Sequence, residues 1–292
     1  DALGVPREWL PRVLESPEAS GETVDGVPVA GGAGDQAAGA VGVGVDRPGP
    51  VSVVLGTSGV VFAALPAYAA DPEARVHSFC HAVPGGWHAM GVMLSAAGSL
   101  RWFRDALAPG EPYERLTTAA EAWPAGSEGL LFLPYLAGER TPHADPEARG
   151  ALTGLSLRHD RGAVTRSILE GVAYALRDSL ELLAALGVRA ESGRVSGGGA
   201  RSDLWLRIVA SALGIPLERP EVEEGAAYGA GLLAGVAAGV FRDVHEAVAA
   251  CVRIERTVDP DPGWAATYDV GYDAFRKLYP ALRRLDRDPA TR

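Results

Sequence analysis

The most regular feature of the chain is the alternation of short apolar runs with longer stretches in which apolar residues recur every three or four positions. The short runs predict buried strands over residues 27–30, 51–55, 60–64 and 129–135. The longest helical pattern covers residues 163–186 and ends at Gly187, a residue type that often terminates helices. Strands that alternate with helices predict an α/β fold.

Further helices follow from the same spacing. They are predicted over residues 37–45, 95–107, 116–123, 203–213, 228–240, 243–252 and 265–285, with the end of another helix at residues 1–14. We expect Leu100, Phe103 and Leu107 to form one buried stripe. The helix at 228–240 consists mostly of small residues, which predicts close packing on a sheet. Residues 76–83 and 87–93 predict a hairpin.

Glycine-rich turns follow predicted strands at residues 31–34, 56–59 and 197–199. Glycine has no Cβ, so the backbone of such turns can approach a ligand closely, and successive N–H groups can bind phosphate. The second turn adds the hydroxyls of Thr57 and Ser58. The turns therefore indicate that the protein binds a phosphorylated small molecule, mainly through its backbone.

Asp35 follows the first of these turns and presents a carboxylate beside the predicted ligand site. Two roles fit this residue. An Asp can cap a following helix, here at Ala37. It can also accept the proton of a hydroxyl group that is being phosphorylated. The residues alone leave both roles open.

Two competing motifs lie in the chain. Residues 32–37 fit a dinucleotide-binding fingerprint, but a glycine turn replaces the acidic residue expected after the second strand. Residues 77–81 contain two histidines and a cysteine, as a zinc site could, but residues four apart on a strand lie far from each other. We therefore expect neither a dinucleotide fold nor a metal site formed by these residues.

Composition narrows the range of partners. The 292 residues carry a formal net charge of −10, which disfavours nucleic acid and anionic membranes. No apolar run reaches about 18 residues, so no membrane span is expected. Cys80 and Cys251 lie far apart in the sequence, and two cysteines in this length fit a reducing compartment. We expect a cytoplasmic protein.

Several motifs resemble those of the FGGY carbohydrate kinases, and within that family the xylulokinases. In family order they are residues 31–40, 55–59, 77–81, 87–93, 150–155 with 167–170, and 196–199. The resemblance implies an actin-like ATPase (ribonuclease H-like) α/β fold with a mixed sheet flanked by helices. One departure is Ala163, where the family's second signature usually has a polar residue.

The resemblance also assigns residues to roles. It implies that Asp35 is the catalytic base, and that Asp35 and Gln36 contact the substrate. The nucleotide-binding residues that it implies are Gly56, Thr57, Ser58, Gly59, Ala97, Arg101, Gly197, Gly198, Gly199 and Ser202. ATP and Mg²⁺ are the expected cofactors, with the ion bridging the phosphates.

The resemblance divides the chain into three parts. Residues 1–44 match the end of an amino-terminal sugar-binding lobe, residues 45–255 a nucleotide-binding lobe, and residues 256–292 a closing helical tail. The expected partners are a sugar, ATP and the missing amino-terminal lobe, with a homodimer as a candidate assembly. The implied activity is ATP-dependent phosphorylation of D-xylulose to the 5-phosphate. The alternatives are another FGGY kinase, for a different ketose or polyol, and a non-catalytic nucleotide-binding fragment of such an enzyme.

Overall fold

The computed structural model of the chain describes residues 4–286. Its strands are β1 (Ala19–Glu22), β2 (Pro28–Ala30), β3 (Pro50–Leu55), β4 (Gly59–Leu65), β5 (His77–Cys80), β6 (Trp87–Met93), β7 (Leu131–Leu133), β8 (Ala151–Thr153), β9 (Ser192–Ser196), β10 (Leu217–Pro220) and β11 (Ile254–Val258). Its α-helices are α1 (Asp35–Gly42), α2 (Ala97–Leu107), α3 (Tyr113–Glu121), α4 (Arg161–Ala185), α5 (Asp203–Leu213), α6 (Gly225–Ala237), α7 (Val244–Cys251) and α8 (Pro262–Asp286). Short 3₁₀ segments lie at Arg7–Trp9, Ser127–Gly129 and Gly198–Arg201.

The central element is a seven-stranded mixed sheet in the order β11-β10-β9-β3-β4-β6-β5. Strands β3, β9 and β10 are parallel, whereas β4 is antiparallel to both β3 and β6. Strands β3, β6 and β9 therefore point the same way and end at one side of the sheet, which we call the carboxyl edge. Strands β1 with β2, and β7 with β8, form separate two-stranded sheets. The predicted mixed sheet flanked by helices is confirmed.

Both faces of the sheet are covered by helices. All seven residues of β4 are buried. Val61 and Ala63 pack into a core with residues of α2, α4, α5 and α8, while Val60 and Phe62 pack into a second core with α1, α6 and α7. Burial on both faces explains why this strand is continuously apolar instead of alternating.

Helices α1 and α6 meet at glycines. A Cβ placed on Gly229 would lie 1.8 Å from the carbonyl oxygen of Ala38, and one on Gly42 would lie 1.9 Å from that of Gly225. The small residues of α6 therefore allow two helix backbones to approach each other. The prediction of close packing on a sheet was right in that Leu232 and Leu233 of α6 share the second core with Val60 and Phe62 of β4, but wrong in the closest partner, which is α1.

Two burial predictions were also wrong. Residues 28–30 form strand β2, but Val27 is 57% exposed and Val29 is 43% exposed. Strand β2 pairs only with β1, all of whose residues are exposed, so this small sheet does not enter either core. Leu107 is 61% exposed, because it is the last residue of α2 and lies beyond the buried stripe of Leu100 and Phe103.

The start of the chain is less helical than predicted. Residues 1–3 lie outside the described part, and between residues 4 and 14 the structure has only the 3₁₀ segment Arg7–Trp9. Pro11 follows this segment closely and disfavours the helical conformation at the residue before it.

Helix α8 closes the first core, as its aromatic pattern predicted. Tyr268, Tyr272, Phe275 and Tyr279 are all buried. Arg166 on α4 forms a fully buried ion pair with Glu170 at 2.8 Å, and the Tyr268 hydroxyl donates to the same carboxylate at 3.1 Å. This network fixes α8 against α4.

The structure bears on where the chain could be divided. Strand β11 pairs with β10 across its whole length, so a boundary at residue 255 would cut a strand of the sheet. Helix α1, which precedes residue 45, packs into the second core. The division into residues 1–44, 45–255 and 256–292 stays a prediction.

Candidate functional site

Two of the predicted glycine turns lie side by side at the carboxyl edge. Strands β3 and β9 are parallel neighbours, with Val54 opposite Ser196, so the turns that follow them leave the sheet together. Gly197 has a positive φ of 86°, and a Cβ on it would lie 2.8 Å from the backbone carbonyl of Leu55. The third turn thus contacts the backbone at the beginning of the second turn, and only glycine fits at this contact.

The beginning of α2 is attached to the same place. The N–H of Ala97 donates to the carbonyl of Gly56 at 2.8 Å, and the N–H groups of Ala96 and Gly98 donate to the carbonyl of Thr57 at 2.9 and 3.1 Å. A Cβ on Gly98 would lie 2.9 Å from that Thr57 oxygen. Three segments that are far apart in sequence are therefore held together by close backbone contacts.

These segments border a cleft of about 750 Å³, which we call the α2–α5 cleft. Predicted nucleotide residues that line it are Gly56, Thr57, Ala97, Arg101, Gly198, Gly199 and Ser202. Its volume is in the range of small-molecule and cofactor sites. A Cβ on Gly198 would meet no atom within 4 Å, so this residue faces open space.

Three predicted nucleotide residues are not in the lining of this cleft. The Ser58 hydroxyl donates to the carbonyl of Leu94 at 3.3 Å, on the β6 side of the turn. Gly59 begins β4, where a Cβ would lie 2.7 Å from Cγ of Met93. Gly197 contacts the backbone of β3, as described above. Direct contact of these three residues with a nucleotide stays a prediction.

The beginning of α5 is capped by Ser202, whose hydroxyl oxygen accepts the N–H of Trp205 at 3.3 Å. Asp203 pairs with Arg256 at 2.9 Å. Ser202 therefore both caps the helix and lines the cleft.

One wall of the cleft was not predicted from the sequence. Helix α3 contributes Tyr113, Glu114, Thr117, Thr118 and Glu121 to the lining. Its polar face has the pattern of an ordinary solvated helix surface, and no motif distinguishes it. Only the packing of α3 against α4, which fixes that face toward the cleft, reveals its position.

Arg101 is the unpaired cation of this cleft. Within residues 4–286, no carboxylate lies within 4.0 Å of its guanidinium group. Arg104, one turn further along α2, is instead paired with Asp105 at 2.6 Å and lies over the ring of Tyr113 at 4.4 Å. Arg101 is thus available to an anionic ligand, whereas Arg104 is not.

Asp35 is the first residue of α1, and its side chain is exposed. Its carboxylate accepts the N–H of Gln36 at 2.8 Å, while the helix cap is Gly34 and has no side-chain hydrogen bond. The carboxylate therefore does not cap the helix at Ala37. Asp35 and Gln36 are absent from the lining of the α2–α5 cleft, and their roles stay predictions.

The histidines after β4 lie mostly in the interior. His81 and His88 are buried around Phe62, and the ring of His81 hydrogen-bonds to the carbonyl of Val45 at 2.9 Å. Burial lowers the pKa of His88 to about 4. Cys80 is exposed and unbonded. In the described part of the chain, no group of three or more His, Cys, Asp or Glu side chains converges as a metal site would require.

Comparison with known proteins agrees with the resemblance seen in the sequence. Residues 51–238 match the carboxy-terminal domain of the FGGY family of carbohydrate kinases. The chain is 39% identical to a xylulose kinase of Escherichia coli, over 96% of this chain and 60% of that protein. A glycerol kinase of Gloeobacter violaceus is 33% identical over 86% of this chain and 52% of its own length.

A solved structure gives the same result. A xylulose kinase from Brucella ovis superposes with a TM-score of 0.89 and 41% identity, covering 97% of this chain and 60% of that one. The chain therefore spans about 60% of the length of these xylulose kinases. No helix among the described residues is both long and apolar enough to cross a membrane. The chain belongs to the FGGY family of carbohydrate kinases.

Proposed function

We propose that this chain supplies the nucleotide-binding side of an ATP-dependent sugar kinase, and that the sugar is D-xylulose, which is converted to the 5-phosphate. The observation that carries the proposal is the meeting of two glycine turns at one cleft of about 750 Å³ in a member of a carbohydrate kinase family. The sugar is inferred from the xylulose kinases among the relatives. In this view, the complete kinase also contains the amino-terminal portion that those relatives have.

The cleft suggests how ATP would lie. Its phosphates would contact the Gly56–Thr57 turn, and its ribose and base would lie against Gly198 and Gly199, where open space replaces side chains. Arg101 would neutralise part of the phosphate charge, since no acid competes for it within the described chain. Backbone N–H groups and one free guanidinium are suitable phosphate ligands in a protein with a net charge of −10.

Asp35 would act as the general base. As the sugar oxygen bonds to the γ-phosphorus and the bond to the ADP oxygen breaks, the carboxylate would accept the hydroxyl proton. Two observations support this role: Asp35 is exposed, and among residues 4–286 its carboxylate accepts a hydrogen bond only from the neighbouring Gln36 N–H. Gln36 would orient the sugar through its side-chain amide.

The residues present are compatible with Mg²⁺ that arrives with ATP. The described chain has no cluster of three potential ligands, but Mg²⁺ at phosphate sites commonly keeps several waters and takes only one or two carboxylates. Asp35 is the carboxylate that would approach it. When bound, the ion would offset the charge of the phosphates.

One experiment tests the activity and its base together. In a protein extended to the length of the relatives, ADP release is measured with D-xylulose, glycerol, gluconate and L-rhamnulose. D-xylulose should be the fastest substrate, and Asp35→Asn should lower kcat by about 10²–10⁴-fold without changing ADP affinity. The control is Asp25→Asn, because Asp25 is also an exposed aspartate and lies in the β1–β2 turn.

The outcomes separate the parts of the proposal. Preference for another sugar would remove D-xylulose and keep the kinase. Glycerol is the specific competitor, because one relative is a glycerol kinase. Normal turnover of Asp35→Asn would reject Asp35 as the base. Absence of phosphorylation with all four sugars, together with intact ADP binding, would favour a non-catalytic nucleotide-binding protein.

A further inference from the structure

Part of the Gly56–Gly59 turn lies outside the lining of the α2–α5 cleft. Strand β6 ends at Met93, which pairs with Gly59, and Leu94 follows at the carboxyl edge. The hydroxyl of Ser58 donates to the carbonyl of Leu94 at 3.3 Å. Gly56 and Thr57 therefore line the cleft, whereas Ser58 contacts Leu94 outside that lining.

The backbone N–H of Leu94 is also fixed, by the buried carboxyl group of Glu139. Glu139 is 1% exposed, and its Oε1 atom accepts the N–H of Leu94 at 3.0 Å and the N–H of Arg140 at 2.7 Å. Burial raises the pKa of Glu139 to about 8, although the two N–H groups act in the opposite direction. One oxygen thus joins the backbone of Arg140 to the residue that accepts the Ser58 hydroxyl.

Thr141, the residue after Arg140, is also fixed by hydrogen bonds. The Thr141 N–H donates to the carbonyl of Val92 at 3.0 Å, and its hydroxyl oxygen accepts the Val92 N–H at 3.0 Å. The backbone of Arg140 is therefore anchored to the end of β6 through the residues on both sides of it. The backbone from which the Arg140 side chain extends is thus fixed beside the end of β6, while the side chain itself is exposed.

The Arg140 side chain has no acidic partner. It is exposed, and among residues 4–286 no carboxylate lies within 4.0 Å of its guanidinium group. The pKa of His77 is lowered by burial and by the positive charge of Arg140, which puts that charge near the beginning of β5. His77 is the first residue of β5 and pairs with Met90, three residues before the end of β6 at Met93.

Two other arginines of this part of the fold are paired with acids. Arg201, in the third turn, is paired with Glu223 at 2.6 Å, and Arg194, on β9, is paired with Glu218. By contrast, Arg101 and Arg140 lack such partners in the described chain; Arg101 lines the cleft beside Thr57, and the Arg140 backbone is connected through Glu139 to Leu94, which contacts Ser58. In a chain with a net charge of −10, two free guanidinium groups around one turn indicate an anionic ligand that reaches both.

We propose that Arg140 binds the γ-phosphoryl group of ATP from the Ser58–Leu94 side of the turn, and that Glu139 is the residue that positions it. This inference rests on the proposed kinase function. The guanidinium fork matches two phosphoryl oxygens, and it remains beside the group as its bond to ADP breaks and its bond to the sugar oxygen forms. Arg101 contacts the phosphates that ATP and ADP share.

The test compares ATP with ADP. Calorimetry with this chain, each nucleotide and Mg²⁺ should show that Arg140→Ala weakens ATP binding about 10–100-fold and changes ADP binding less than about twofold. Arg101→Ala should weaken both nucleotides. The matched control is Arg189→Ala, which removes an exposed charge next to β9 at the opposite edge of the sheet.

Glu139 is tested by rescue. Glu139→Gln keeps an oxygen for the two N–H groups and should retain the ratio of ATP to ADP affinity. Glu139→Ala removes that oxygen and should reproduce the loss of ATP affinity seen with Arg140→Ala, in the fraction that remains folded by circular dichroism. A purely structural role would lower stability in Glu139→Ala and leave the affinity ratio of the folded protein unchanged.

The results distinguish the two proposals. If the unmodified chain binds both nucleotides and Arg140→Ala keeps their affinity ratio, the role of Arg140 is rejected and the kinase assignment stands. An equal loss of ATP and ADP affinity in Arg140→Ala also rejects it, because the contact would then be to a phosphate that both share. If the unmodified chain binds neither nucleotide, the nucleotide cleft and this inference are both rejected.

Discussion

Gly198 offers a test of nucleotide binding that leaves the fold intact. It lines the α2–α5 cleft, its φ is not in the left-handed region, and a Cβ placed on it would meet nothing within 4 Å. Gly198→Val should therefore fold normally and project a branched side chain into the space proposed for the nucleotide. Overpacking at a close contact costs about 1–3 kcal/mol, which corresponds to about 5–150-fold weaker binding of ADP.

The assay is calorimetric titration with ADP, paired with thermal unfolding. Gly198→Ala should weaken binding less than Gly198→Val, because it fills less of the cleft. Gly197→Ala is the contrasting variant: its φ is 86° and the new Cβ would lie 2.8 Å from β3, so it should lower the melting temperature. Unchanged ADP affinity in a folded Gly198→Val protein would refute the assignment of this cleft to the nucleotide.

Three further predictions concern stability. Gly229→Ala forces a Cβ to within 1.8 Å of a backbone oxygen of α1, so it should lower the free energy of unfolding, measured by chemical denaturation, by about 3 kcal/mol or more. The control is Gly231→Ala in the same helix, which should be neutral or stabilising because its Cβ would meet open space. Glu170→Ala leaves the Arg166 charge buried without its partner and should cost about 3–5 kcal/mol by the same measurement. Burial raises the pKa of Glu139 from 4.5 to about 8, so this residue binds its proton more tightly in the folded than in the unfolded chain. Lowering the pH from 8 to 6.5 should therefore increase the free energy of unfolding of the unmodified chain more than that of Glu139→Gln. An identical pH dependence of the two free energies would contradict the raised pKa.

The sequence predicted most of the elements because their signals are local. The turn at residues 56–59 between two apolar runs, the helix that stops at Gly187, and the aromatic stripe of α8 each depend on spacing within one segment. The family resemblance then supplied the arrangement that brings such segments together. Seven of its predicted nucleotide residues line one cleft.

The errors arise where tertiary contacts decide the outcome. An apolar run such as Val27–Ala30 predicts a strand, but burial depends on whether a second layer covers it, and β2 pairs only with exposed β1. The small residues of α6 predict a close contact without identifying its partner. The bond of Glu139 to Leu94 joins residues that are 45 positions apart, and the α3 wall depends on which helix face turns inward. No local pattern encodes these.

The two sides of the proposed reaction are held by different kinds of contact. The Gly56–Gly59 turn is fixed by backbone contacts with Gly197 and with the beginning of α2. Within the described part of the chain, Asp35 has no such anchor of its own, since its carboxylate bonds there only to the adjacent N–H. Its position depends on α1, which is pressed against α6 at Gly229. A change at Gly229 should therefore affect phosphoryl transfer and stability together, whereas Gly198→Val should affect nucleotide affinity alone, because Gly229 sets the position of α1 and Gly198 lines the cleft.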